Sequence, residues 1–171
     1  KESDTRKVDV SNLTTEQLKE LNIRMAQFIE DVRSEFATYV PTMVKVSEES
    51  VNMSKLIGET YKNAIRKSAN SSNPTMWDAF KLGHLNGNIT VGANIEKAGY
   101  KSSKISPTRL ETLAYTSETD YQTMGDLKAL LYKQMIGWLY EDEDSNWGHA
   151  LIQSGLTWSD YETELHTYVI K

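Results

Sequence analysis

The chain has 171 residues, 39% of them hydrophobic and 25% charged, which is the composition of one globular domain able to bury a real core. Its formal net charge of -5 argues against a nucleic-acid-binding domain, which needs a basic face to neutralise phosphates. There is no cysteine, which removes disulfides and thiolate metal ligands, and no apolar run approaches the roughly 20 residues of a membrane-spanning helix.

Lys1 to Val10 is polar and charged and reads as a tail, so the expected organisation is a linker over 1–12 and a domain over 13–171. Thr14, with Gln17 three residues on, predicts a helix start by a capping box, and Leu13 against Leu18 forms the staple. Leu18, Leu21, Met25, Phe28, Ile29, Val32 and Phe36 then place one apolar stripe on a helix running to about Ala37.

Pro41 interrupts the chain, and Ser47 with Glu48 and Glu49 opens a second helix, acidic where the helix dipole favours anions. Its core stripe reads Val51, Leu56, Ile57, Tyr61, Ala64 and Ile65. The polar run from Ser68 to Pro74 predicts an exposed loop. Trp77, Phe80 and Leu82 restore apolar character and lead into Gly83-His84. Ile89, Val91, Ile95 and Ala98 predict a short helix closed by Gly99.

The alternation in Leu110-Glu111-Thr112-Leu113-Ala114-Tyr115 allows a short strand. Thr123 and Asp126 cap a further helix with an apolar face of Met124, Leu127, Leu130, Leu131, Met135, Trp138 and Leu139. An acidic turn, Glu141-Asp142-Glu143-Asp144, separates it from Gly148-His149. Ala150 to Gly155 and Leu165 to Ile170 read as strands. Helices early and strands late predict an α+β layered domain with a small, mostly antiparallel sheet.

Several short motifs recur in one order: Asn22-Ile23-Arg24 on the first helix, Gly83-His84, Glu111, Trp138-x-x-Glu141 and Gly148-His149. In that order the chain resembles the CAP superfamily, named for cysteine-rich secretory, antigen 5 and pathogenesis-related proteins. More narrowly it resembles the cysteine-free, surface-exclusion (PgrA-like) group of Gram-positive cell surfaces. The resemblance implies a three-layer α-β-α sandwich and a groove tetrad of His84, Glu111, Glu141 and His149. Asp142 is the alternative to Glu141, because the bacterial group often carries an Asp there. Gly92-Ala93-Asn94-Ile95 is the alternative alignment for the first acid, with Ala93 in its place, and Thr112 stands where the family usually has Asn after the Glu.

Two imidazoles and two carboxylates meeting in an open cleft can ligate a divalent ion through His84 and His149, zinc above all, or calcium or magnesium at the acidic run. They can equally act as an acid-base set. Against both stands the ordinary reading of each histidine as a hydrogen-bonded structural residue, and of the acidic run as a solvated turn. Trp147 and Trp158 either wall the groove or fill the core, core being the ordinary reading, and His166 reads as structural or surface-facing.

The resemblance implies an extracellular wall-protein module concerned with adhesion, aggregation or conjugative surface exclusion. Its partners would be host matrix, glycosaminoglycan, cell wall or another surface protein, and its anchoring segments would lie outside this sequence. A metal-assisted hydrolase or protease using the same tetrad is the first alternative, although no His-Glu-x-x-His helix is present. Lipid or sterol carriage is the second. No Gly-x-Ser-x-Gly elbow and no phosphate-binding glycine loop occurs.

Overall fold

A computed structural model describes residues 3–35, 44–83, 112–154 and 163–164. In chain order its elements are α1 (Thr15–Glu35), β1 (Val44–Lys45), α2 (Glu48–Ala69), α3 (Met76–Leu82), α4 (Met124–Tyr140), α5 (Gly148–Ser154) and β2 (Thr163–Glu164). Two compact units emerge from the packing: Lys1–Val51 with Tyr121–Thr167, and Asn52–Asp120 with Tyr168–Lys171.

The α-β-α sandwich is overturned. Among the described residues helix dominates, and the strands are two residues each, paired in parallel as Val44 with Thr163 and Lys45 with Glu164. The expected strand from Ala150 is the body of α5, so His149 enters a helix. The period-2 reading failed there because a short apolar run of Ala, Leu and Ile does not distinguish a strand from a buried helical turn. Thr112 to Tyr115 has no regular structure, whereas Leu110 and Glu111 lie outside the described residues. The helix expected over Ile89 to Ala98 and the strand from Leu165 to Ile170, with His166, also lie outside them.

In the first unit, α1 starts as its capping box predicts. The Gln17 backbone N–H donates to Thr14 Oγ1 at 3.1 Å, and the Thr14 N–H donates to Gln17 Oε1 at 2.9 Å. The buried face of α1 carries Leu18, Leu21, Met25, Phe28 and Ile29, and it also takes in the polar Asn22 and Arg33. Asn22 is accommodated because its Nδ2 donates to the Leu18 carbonyl at 2.8 Å. This face packs on α4 and α5, where Met124, Leu127, Leu131 and Met135 answer it. Phe28 lies against Tyr132 with ring centroids 5.4 Å apart.

The polar N-terminal residues belong to this packing. Lys7 forms an antiparallel bridge with Thr123, and Val8 N–H donates to the Gln122 carbonyl at 3.0 Å. The carbonyls of Arg6 and Asp4 accept from the N–H groups of Met124 and Gly125, both at 2.9 Å. Thr123 Oγ1 takes the Asp126 N–H at 3.1 Å, so three first-turn donors of α4 that no helical carbonyl can reach are satisfied. Asp4 and Glu20 share Arg6 and Lys128 in a four-charge cluster. Hydrogen bonds from Arg6 and then Lys128 hold both carboxyls below their ordinary range.

The second unit is built on α2 and α3. Met53, Ile57, Tyr61 and Ile65 form one buried stripe of α2, covered by Ala79 and Leu82 of α3 and by Leu113. The register differs from the sequence expectation at two places: Met53 is buried, whereas Leu56 is 39% exposed. A helix admits one face to the core, and Leu56 lies beside that stripe rather than on it. α2 ends at Ala69, followed by Asn70 at φ 50°, a left-handed residue suited to closing a helix. α3 starts with a Thr75–Asp78 capping box and ends at Gly83, whose φ of 59° and ψ of -150° are open to glycine far more readily than to other residues.

Candidate functional site

The chain reverses between α4 and α5 through residues 141–147. Glu141 is the C-terminal cap of α4, giving its N–H to the Gly137 carbonyl at 2.9 Å, and it is exposed. Glu143 to Ser145 form a 3₁₀ turn, after which Asn146 and Trp147 both take positive φ, 50° and 59°. For a bulky L-residue such as Trp147 this conformation costs on the order of 1 kcal/mol. Two left-handed residues in succession fold the start of α5 back over Asp142.

Asp142 is only 4% exposed, and its carboxylate is fully engaged by α5. Oδ2 accepts the N–H of His149 at 2.8 Å and that of Ala150 at 3.2 Å, and Oδ1 lies 2.7 Å from His149 Nδ1. One side chain therefore caps the helix and orients the imidazole. Burial alone pushes the Asp142 carboxyl up, but the His149 ring and the two backbone donors outweigh it and hold the carboxyl below its ordinary value.

An ionised carboxylate can only accept, so Nδ1 carries the proton that lies between them. In the neutral ring Nε2 then becomes an acceptor, able to take a hydrogen bond, a proton or a metal ion. The side chain of His149 is 21% exposed. Trp138 on α4 lies beside the ring, with centroids 6.2 Å apart and planes tilted by 36°. At the far end of α5, Arg33 of α1 donates through Nε to the Gln153 carbonyl at 3.1 Å, and desolvation lowers the pKa of its guanidinium. Both ends of α5 are thus held by side chains from other elements.

Of the four residues named from the motif order, His149 is placed in a defined polar setting. Glu141 is exposed at the end of α4, and the alternative, Asp142, is the acid paired with His149. The reason is the end of α4: Glu141 completes that helix, and the next residue is the first free to turn inward. His84 and Glu111 lie outside the described residues, as do Ala93 and Trp158. Trp147, expected in the core, is 41% exposed at the rim of the turn.

Sequence reasoning passed over Arg33, whose signal was a cation one helical turn after Ile29 on the apolar face of α1. Among the described residues no group of three or more His, Cys, Asp or Glu side chains is gathered closely enough to hold a metal ion. Among the described residues, His149 offers a ligand atom through Nε2. Among the described residues, no helix is long and apolar enough to cross a membrane. No protein-family model, curated protein or solved structure matches the chain significantly.

Proposed function

We propose that this chain is a recognition module of a Gram-positive cell-surface protein, related through its motif order to the CAP superfamily, with His149 as a contact residue of its binding face. The three-layer sandwich plays no part in this reading. It is supported by one observation above all: a nearly buried Asp142 directs its side-chain hydrogen bonds at His149 and the first turn of α5. A merely solvated acidic turn has no need of that arrangement, whereas a partner-binding imidazole gains from being held in one direction before the partner arrives.

The test is binding of the purified chain to intact Gram-positive cells, isolated cell wall and immobilised host matrix. His149→Ala and Asp142→Asn are expected to weaken binding by about tenfold each, the loss of one good polar contact. A chain that binds none of these surfaces, or binds them equally well without His149, ends the proposal.

A second reading draws on the same pair. A carboxylate-fixed tautomer that leaves Nε2 as the acceptor is also the arrangement of a general base or of a metal-binding histidine with its supporting acid. It predicts cleavage of peptide substrates that His149→Ala abolishes. Metal content that falls in the same variant would identify a divalent ion as the cofactor. Peptide cleavage unaffected by the substitution removes this reading.

A further inference from the structure

α4 differs from an ordinary surface helix in what it turns outward. α1 buries one stripe and exposes Glu16, Lys19, Gln27, Asp31 and Ser34 alongside Ile23. α4 buries Met124, Leu127, Leu131 and Met135, yet from Leu127 to Tyr140 its charged residues are Lys128 and Lys133. Lys128 is engaged by Asp4 and Glu20, so Lys133 carries the charge of the outward side. A helix that is apolar on every side is ordinarily covered on every side.

At 3.6 residues per turn the outward side of α4 resolves into two neighbouring rows. Tyr132, Ile136 and Tyr140, four residues apart, make a raised row, with Tyr132 54% exposed and Tyr140 71%. Ala129, Lys133 and Gly137 make the row beside it, which is low at both ends, and a Cβ added to Gly137 would meet no described atom within 4 Å. The raised row starts from a packed base, because Tyr132 lies against Phe28, over whose ring the Arg24 guanidinium sits at 4.6 Å. Beyond the end of the helix Glu141, Glu143 and Asp144 are exposed, and the helix dipole adds negative potential there.

We propose that this face of α4 is covered by a second copy of the chain, the two α4 helices crossing antiparallel about a two-fold axis at Gly137. The raised row of each helix then fills the low row of the other, and Lys133 of each reaches the acidic C-terminal end of the other. Both halves of the match, in shape and in charge, lie on one face of one helix. A two-fold contact requires that, whereas an unrelated partner needs only one half. A single helix crossing buries less than a standard interface, so the expected dimer is weak, with a Kd on the order of 10–100 µM. The ring of His149 lies beside Trp138, which falls on the side of α4 that carries Leu131 and Met135, so the dimer does not use it.

Sedimentation equilibrium of the full chain from about 5 to about 500 µM, in about 0.15 M salt, is the measurement, and a monomer–dimer equilibrium is expected. Gly137→Gln should weaken the dimer about tenfold or more by filling the low row. Its thermal midpoint at low concentration should hold or rise, because the position is open in the single copy and glycine is a poor helix former. Loss of the dimer is thereby separated from loss of the fold. K133E should weaken association about tenfold, and the double variant K133E/E141K should recover to within about threefold of the unsubstituted chain.

A chain that stays monomeric throughout, a dimer indifferent to Gly137→Gln, or a K133E/E141K variant no better than K133E overturns the proposal. So does a monomer in which Tyr140→Ser lowers binding to cells or matrix, since the face then belongs to another partner. His149→Ala should leave the dimer intact, and a dimer lost in that variant is built on a different surface and ends this inference. Dimerisation that survives while the chain binds no bacterial or host surface retains it and removes the recognition reading alone.

Discussion

Asp142 and His149, seven positions apart, are joined twice: carboxylate to ring at 2.7 Å and carboxylate to backbone at 2.8 Å. The first contact sets the direction of the imidazole, and the second supplies a partner for a donor at the start of α5.

The pair makes stability depend on acidity in a defined direction. A carboxyl held below its unfolded-state value, near 3.8, contributes stability above that pH and loses it as pH falls through the lower folded-state value. Asp142→Asn should therefore cost about 1–2 kcal/mol at pH 7, the range for a lost helix cap and a charged hydrogen bond. The difference from the unsubstituted chain should shrink as pH falls below that value. Urea unfolding at several pH values measures it, and a gap that stays constant contradicts the assigned role.

The same contact predicts a tautomer. Nitrogen chemical shifts of neutral His149 should show the proton on Nδ1, and Asp142→Ala should shift the population toward Nε2–H, since the orienting acceptor is gone. Spectra that do not change between the two proteins show the ring to be set by something else.

Removing residues 1–7 tests the N-terminal packing. The deletion withdraws the Asp4 and Arg6 carbonyls from α4 and uncovers the helix start beside the fully buried Met124. Two lost backbone bonds alone imply about 2 kcal/mol. Denaturant unfolding of the shortened chain is the measurement, and an unchanged midpoint shows the segment to be dispensable.

Trp147 provides a test of backbone strain. At φ 59°, Trp147→Val should destabilise by about 1–2 kcal/mol, because a β-branched residue tolerates this conformation least, whereas Trp147→Gly should lie within about 1 kcal/mol of the unsubstituted chain. Thermal unfolding separates the two, and equal losses would mean that the Trp147 side chain matters and its backbone angle does not.

Local chemistry was readable wherever neighbours in sequence are neighbours in space. The Thr14–Gln17 and Thr123–Asp126 boxes, the stripe on α1 from Leu18 to Ile29 and most of the stripe on α4 all follow from spacing alone. The strand expected after Gly148 failed for the opposite reason. Its apolar run was too short to declare a period, and α5 is specified by a side chain six residues before it, by Arg33 from α1, and by packing on α1 and α4. Leu56 and Met53 exchanged places because the position of a helical face depends on what covers it, here Ala79, Leu82 and Leu113.

By itself the amino-acid order determined the residues able to start helices, the apolar faces they offer, and the presence of a histidine close to several carboxylates. Only the folded arrangement decided that Asp142, rather than Glu141, meets that histidine. A helix end gives one residue to its last turn and frees the next, and the direction of the freed residue depends on the left-handed turn at Asn146 and Trp147 and on the burial it returns to.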